Sequence, residues 1–545
     1  MSQNIKSSND IQFVTLRDFQ GMIQRQDPDK IPDNYSPLLV NQSLVKPGIW
    51  SKRQSCGILS TTRSGGVRGI SEYLFAGNSD NTRLRMWRGG ANAGKYELQT
   101  YSVTGNSYTA IDTSQGSIGY MQSVNFKNRI YHVSPTNYLS YESGGAITTL
   151  PDTAVFGDSC LIKAETIATA QGTLYIGNIT TLNGKSFNYQ DRVYYSVWDG
   201  NQTDVFYNPS DGFMMADRIE QSTSYFSVLE PVVGLFSFGQ TGLMYVFTKN
   251  ACWEFDQRYA QAKTGPRKIC NIGLINKYAV TECNGWLIWM DYEGRIWAWA
   301  GSGLPLPITW ELQDDENGEA ILNNLDRNSL DGFCAGSLNN QFYFSIKTVS
   351  YRGTTLTNAV LKGLISQSRS VVLYSVDTFP TCPAMFCNVT INKTKRLVYG
   401  SLATDDIYLL NNPSSSETFD SYARTKFFDF NLPFYDKTFY RLFIKYRPQP
   451  TTHTFLRVRY SLDGETTYVD LSDPENGIDT WGTIDMGEGY TSTTFDNVKI
   501  LNLPPEAKGR SISVEVGNGI SGEDYEVSGI GFEFSTEGYD YTIRA

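Results

Sequence analysis

The chain has only two histidines, His132 and His453, in 545 residues. They stand far apart, so a His-based triad or a multi-His metal centre would have to be built on a single imidazole. No GxxxxGK[ST] phosphate loop, HExxH motif or GxSxG elbow is present. The short glycine runs, Gly65-Gly66 and Gly144-Gly145, fall between strand-like segments and have no helix behind them to offer an anion site. Charge is also scarce, at 19% of residues, and the balance is acidic, with a net charge of −10. A protein that grips a nucleic-acid backbone carries a basic face, and no global excess of that kind exists here. Ala, Glu, Lys and Leu do not dominate, which argues against a long coiled coil or helical array. No window approaches the roughly 18 apolar residues of a membrane helix, and no apolar core follows the polar start Met1-Ser2-Gln3-Asn4. A soluble chain without a secretion signal is the expectation. Eight cysteines form no CxxC pair, so they read as reduced, mostly buried thilols of a reducing cytoplasm rather than a disulfide scaffold or zinc site.

What is abundant is equally directive. Aromatics reach 13%, with 34 Tyr and 29 Phe, and there are 48 Gly. That mixture favours many short strands joined by tight turns. Seven such units recur. Their apolar cores are Tyr73-Leu74 with Leu84-Arg85-Met86-Trp87, Val124 to Val133, Leu174-Tyr175-Ile176 with Val193 to Trp198, Leu243 to Phe247, Trp286 to Trp299, Phe342-Tyr343-Phe344, and Leu397-Val398-Tyr399 with Ile407 to Leu410. Asn/Gly turns feeding aromatic or β-branched runs are the local mark of hairpins. The irregular repeat lies around the roughly 40 to 50 residues that a propeller blade needs. The expected fold class is therefore all-β: a β-propeller of six or seven blades over residues 61–415. Separate sandwiches are the competing arrangement. Residues 1–60 read as an extended arm, because Pro28, Pro32, Pro37 and Pro47 push their neighbours towards extended backbone. Residues 310–331 read as a short acidic loop and helix between blades. Asp314, Asp315, Glu316 and Glu319 lack the alternation of a calcium loop, so no metal site is expected there. A linker-like stretch, Asn411 to Phe419, precedes residues 416–545, whose period-2 alternation predicts a two-sheet, jelly-roll-like sandwich.

The arm also carries a resemblance. The succession Asp18-Phe19-Gln20-Gly21, Asp27-Pro28-Asp29, Ile31-Pro32-Asp33-Asn34, Pro47-Gly48 and Lys52-Arg53 resembles the opening of the tail nozzle proteins of short-tailed bacteriophages. Thr425-Lys426-Phe427-Phe428-Asp429-Phe430 and Lys508-Gly509-Arg510-Ser511-Ile512 resemble the C-terminal sandwich attached to phage propeller proteins. The likeness covers the arm and the residues after 415 best, and the propeller core in texture only. It implies a non-enzymatic virion protein, assembled in the host cytoplasm and carried in the tail. It further implies a homo-oligomeric ring, with six copies expected, through which DNA passes without specific binding. The implied partners are a tail adaptor and tail needle, fiber or spike proteins, with no cofactor and no membrane insertion.

The rival reading is a propeller-type glycan-binding protein or glycosidase acting on host-surface polysaccharide. It would use a carboxylate pair or stacked Trp rings, and the sequence singles out no such pair. Ser461-Leu462-Asp463-Gly464-Glu465 resembles the Asp-box turn of sialidases but is one residue short, and reads better as a plain hairpin turn. One local charge feature stands out: Arg424, Lys426, Lys437, Arg441, Lys445, Arg447, Arg457 and Arg459 against Asp429 and Asp436, or eight minus two, about +6. A solvated sheet face is the plain explanation. The functional one is a subunit interface facing an acidic neighbour, and a DNA contact comes third.

Overall fold

The computed structural model describes residues 11–537 apart from 44–45, 47, 60–65, 75–82, 90–95, 103–106, 116–118, 127, 150–161, 183–184, 196–224, 257–264, 314–317, 366–370, 413–414, 416, 448–452, 472–483, 489–496 and 521–523. The regular structure among them is β-strand with short 3₁₀ turns such as Trp310–Leu312 and Ile321–Asn324. The acidic segment thus contains 3₁₀ turns in place of the expected helix, and its Asp314, Asp315 and Glu316 lie outside the described residues.

Seven antiparallel four-stranded meanders follow one another, with first strands Val67–Glu72, Gln122–Phe126, Ile162–Ala170, Val232–Phe238, Val280–Cys283, Ala335–Leu338 and Pro383–Ile391. Successive first strands touch at five of the six joints between neighbours in the chain, and the last touches the first, so the meanders close into a propeller. The joint between the fourth and fifth is made by the Gly239 N–H donating to Glu282 at 2.7 Å and by Phe238 packing on Trp299. Six of the blades are self-contained four-stranded sheets; the sixth in chain order is continuous with the C-terminal strands. Every aromatic-rich unit of the sequence falls in a different blade.

Close packing between blades explains several glycines. A Cβ on Gly69, Gly234, Gly336 or Gly400 would sit within 3.0 Å of Met121, Leu274, Phe386 or Val67 respectively, each belonging to the next blade or its lead-in. A large side chain of one blade therefore occupies the space that its neighbour leaves empty.

The arm is part of the fold at five places. Gln12–Leu16 pairs with Glu526–Thr536. Leu38–Val40 lies between Val371–Thr378 of the sixth blade, in parallel, and Ser421–Arg424, antiparallel. Gln42–Ser43 pairs with Trp50–Lys52, which in turn pairs with Glu526–Thr536. Gly57–Ile58 supplies the fourth strand of the last blade, so a segment preceding the first blade completes the seventh.

Beyond residue 416 the strands fall into two sheets. One holds Lys437–Arg447, Asn497–Asn502 and Glu526–Thr536. The other, Ser421–Arg424, Ile512–Asn518, His453–Leu462 and Val469–Asp470, is the continuation of the sixth blade through Leu38–Val40. Their apolar positions, among them Leu442, Ile444, Val514, Val516 and Phe532, join a single hydrophobic cluster that extends into the fifth and sixth blades. The stretch at 411–419 is therefore not a free linker between independent cores. One sheet runs past it, because the arm supplies the missing strand.

Candidate functional site

The junction of arm, sixth blade and C-terminal sheets holds a buried network of charged and polar side chains. It begins with Asn41, whose left-handed backbone (φ 54°) turns the arm between two strands. Asn41 Nδ2 donates to Thr378 Oγ1 at 2.8 Å and to the Asp420 carbonyl at 2.6 Å, and its Oδ1 accepts from Thr378 N–H at 2.8 Å. The same Oδ1 accepts from Arg53 Nε at 2.8 Å. The Arg53 guanidinium then grips Glu417 with both ends, at 2.8 and 3.1 Å, and lies 3.8 Å over the Phe419 ring. Both charged partners are almost wholly buried, so the two-pronged geometry compensates their desolvation.

Beside this knot is a cavity of about 360 Å³ lined by Lys52, Arg53, Tyr343, Lys362, Asp377 and Asp524, among others. Its charges are already engaged. Lys362 Nζ meets Asp377 Oδ2 at 2.7 Å, and Ser375 Oγ donates to the other carboxylate oxygen at 2.9 Å. Lys52 Nζ donates to Asn518 Oδ1 at 3.0 Å and to the Ile520 carbonyl at 2.6 Å. Burial pushes the Cys56 thiol up to about 12, so it stays protonated and is a poor nucleophile. Burial also raises the Asp524 carboxyl to about 6. The arrangement holds three chain segments together and offers no nucleophile–base pair.

A second polar centre crosses the propeller. Lys277 Nζ, on the lead into the fifth blade, donates to the Tyr120 carbonyl before the second blade at 2.9 Å. It also reaches the Glu165 carbonyl and Oε1 in the third, at 2.9 and 3.0 Å. The adjacent Tyr278 donates its hydroxyl to the Met121 carbonyl at 2.8 Å, and its own carbonyl accepts from Ala335 N–H of the sixth blade at 2.7 Å. Two consecutive residues of one blade reach three others only by spanning the middle of the ring. That opening is therefore bridged by Lys277 and Tyr278.

The eight basic residues do not form one face. Lys437 is fully buried and donates to the carbonyls of Leu432, Tyr435 and Arg510 at 2.6–3.0 Å, with its ammonium pulled down to about 8 by burial. It cannot touch a neighbouring subunit. Arg424 and Arg459 stand directly across from Glu515 in register, and Arg457 Nη2 lies 3.5 Å from the same carboxylate. Arg459 also pairs with Asp470, and Lys426 with Asp33. On the other sheet Arg441 faces and bonds Glu533 at 2.9 Å, and Arg447 faces Glu526. Lys445 lies opposite Val498 and Gly529. Most of the +6 count thus dissolves into charge pairs spread over two different sheets, since the carboxylates arrive from Glu515, Glu526, Glu533, Asp470 and Asp33. What sequence reasoning missed on the second sheet is an exposed apolar stripe around Lys445. It comprises Phe13, packed edge-on against Phe443 at 5.0 Å, together with Val498 and Ile500. Two glycines, Gly529 and Gly531, leave the central strand bare beneath it, and a Cβ on Gly531 would sit a tight 3.0 Å from the Phe13 ring and 3.2 Å from Phe443.

Other singled-out residues are structural. His132 is fully buried, its Nδ1 within 2.8 Å of Ser123 Oγ and 3.4 Å of Trp87 Nε1, and burial pulls its pKa down to about 3. Trp289 and Trp299 are buried, Trp286 and Trp297 are partly buried, and Trp297 Nε1 donates to Asp291 at 2.8 Å, so these rings pack within the propeller. Asp463 and Gly464 take positive φ, and Asp463 Oδ1 accepts from the N–H groups of Arg510 and Ser511. The Asp-box-like sequence is a hairpin turn that fastens a neighbouring loop. Among the described residues no group of three or more His, Cys, Asp and Glu is placed to hold a metal ion. His453 begins the strand His453–Leu462.

No protein-family model matches this chain, and no curated protein matches it. Among solved structures it is similar to the WD40 β-propeller domain of Doa1, at 12% identity and a TM-score of 0.37, over 66% of this chain and 97% of that one. It is also similar to BamB from Moraxella catarrhalis, at 10% identity and a TM-score of 0.37, over 75% of this chain and 99% of that one.

Proposed function

We propose that this chain is a structural protein of a short-tailed phage tail, a nozzle subunit that assembles with copies of itself, six being the expected number, into a ring that conducts the genome. The observation that supports it most is where the resemblance falls. Phe19 and Trp50 of the arm stack at 3.7 Å and are buried, Asp18 and Gly48 take left-handed backbone beside each other, and Arg53 ties the arm to Glu417. In the C-terminal part, Phe428 and Phe430 pack on Phe532 and Phe534. The residues that resemble phage nozzles are those that join arm, propeller and C-terminal sheets into one block. A load-transmitting ring subunit needs that rigidity.

The passage in this reading runs between copies, because Lys277 and Tyr278 bridge the middle of each propeller. A net charge of −10 suits a lumen that does not hold phosphate, since each neutralised phosphate adds a binding term. The Phe13–Phe443–Ile500 stripe is the surface this reading assigns to contact with the next copy or with a tail adaptor. Electron microscopy of the purified protein, or of tails containing it, tests the proposal. Closed rings are expected; a strictly monomeric protein that cleaves sugar polymers would overturn it in favour of the glycosidase reading.

A further inference from the structure

Cys252 and Cys270 stand directly opposite each other on the paired strands Cys252–Phe255 and Arg267–Cys270, the two outer strands of the fourth blade. Directly opposed residues of an antiparallel pair have Cα atoms about 4.5–5.5 Å apart, inside the range a disulfide spans. Both are free thiols, and the Cys270 thiol donates to the Ile272 carbonyl at 3.8 Å. Cys252 is buried, while Cys270 is only partly so. No other two cysteines face each other in register among the described strands.

We infer that Cys252 and Cys270 are a disulfide-forming pair that closes across the outer edge of the fourth blade when the protein meets an oxidising small disulfide. The partly exposed Cys270 thiolate attacks one sulfur of a low-molecular-weight disulfide such as oxidised glutathione, breaking its S–S bond and releasing one thiolate. Cys252, once its proton has passed to that thiolate, attacks the Cys270 sulfur and displaces the second glutathione. Two protein thiols are oxidised, and one glutathione disulfide is reduced to two thiols. The order of attack follows from exposure. The neighbouring Cys252 side chain also holds Cys270 below the ordinary thiol range, whereas burial holds Cys252 well above it. The bridge ties the outer strand to its neighbour at the point where their register shifts, between Cys252 and Trp253.

The test treats the full chain with oxidised glutathione, denatures it in an alkylating agent, and maps the peptides by mass spectrometry. Two of the eight thiols should escape alkylation, the mass should fall by two hydrogens, and one peptide should link positions 252 and 270. The link should vanish in Cys252→Ser and in Cys270→Ser and persist in Cys382→Ser. Alkylation of all eight thiols, a stable glutathione adduct on Cys270, or a bridge to another cysteine would each overturn the inference. Because Cys270→Ser alters a partly exposed side chain, its circular dichroism should match the parent, which separates loss of the bridge from loss of the fold.

Discussion

At the scale of single residues, buried charge decides what the junction can do. Arg53 and Glu417 are held in a two-pronged pair with almost no exposure. Removing one partner leaves the other charged and desolvated, so Arg53→Ala should cost about 3–5 kcal/mol in chemical denaturation, with Glu417→Gln milder because it keeps an acceptor. His132 makes a separate, pH-dependent prediction. Its folded pKa, about 3, lies below the unfolded value of about 6.5, so the unfolded chain takes up its proton first. The stability it contributes is complete above about pH 6.5 and declines as pH falls towards about 3. Between pH 6.5 and 4.5 the decline amounts to roughly 2–3 kcal/mol, and His132→Gln should flatten that part of the stability–pH curve. An unchanged slope would show that His132 is not buried in its neutral form. That His132 is a packed residue was legible from its strand setting. Its partners Trp87 and Ser123 were not, because one of them comes from the preceding blade.

At the scale of elements, the arm changes the reading most. Its proline pattern predicted extended backbone, and its burial could be anticipated only in outline. No local signal marks Leu38–Val40 as the strand between a blade and a C-terminal sheet, since three apolar residues fit any buried edge. The alternation of residues 440–460 was readable as strands, and the hairpin turns were readable from Asn and Gly. The charge patch misled for a physical reason: counting along the chain cannot see that register sets Arg441 against Glu533 and Arg459 against Glu515. Deleting residues 1–46 removes Leu38–Val40 and leaves two strand edges unpaired. Limited proteolysis should then cut within 411–420 and release the propeller from the C-terminal sheets, while the full chain resists. Equal resistance would show that the arm is dispensable to the junction. Blade joints offer a second test. In Gly400→Val the new side chain meets Val67 and Ile70 of the first blade, and overpacking of this kind should lower stability by about 1–3 kcal/mol in thermal or denaturant unfolding.

At the scale of the whole molecule, a closed propeller is fused to two further sheets through its own N-terminal segment, and its middle is bridged by Lys277 and Tyr278. Such a body suits a wall element better than a pore. The Phe13–Phe443–Ile500 stripe with Lys445 at its centre is the surface proposed to meet another subunit. Lys445→Glu should weaken assembly severalfold without changing the melting temperature, because reversing a charge in the middle of the contact sets it against the pairing that the contact would make. Assembly at the parental strength would remove this face from the account. The central claim is that copies of this chain form a ring around a passage. Its most direct test is electron microscopy with class averaging of the purified protein at high concentration and of tails that contain it. Closed rings of bridged propellers around one shared opening wide enough for duplex DNA are the expected result. Isolated monomers in the purified sample together with no ring of this chain in the tails would contradict it.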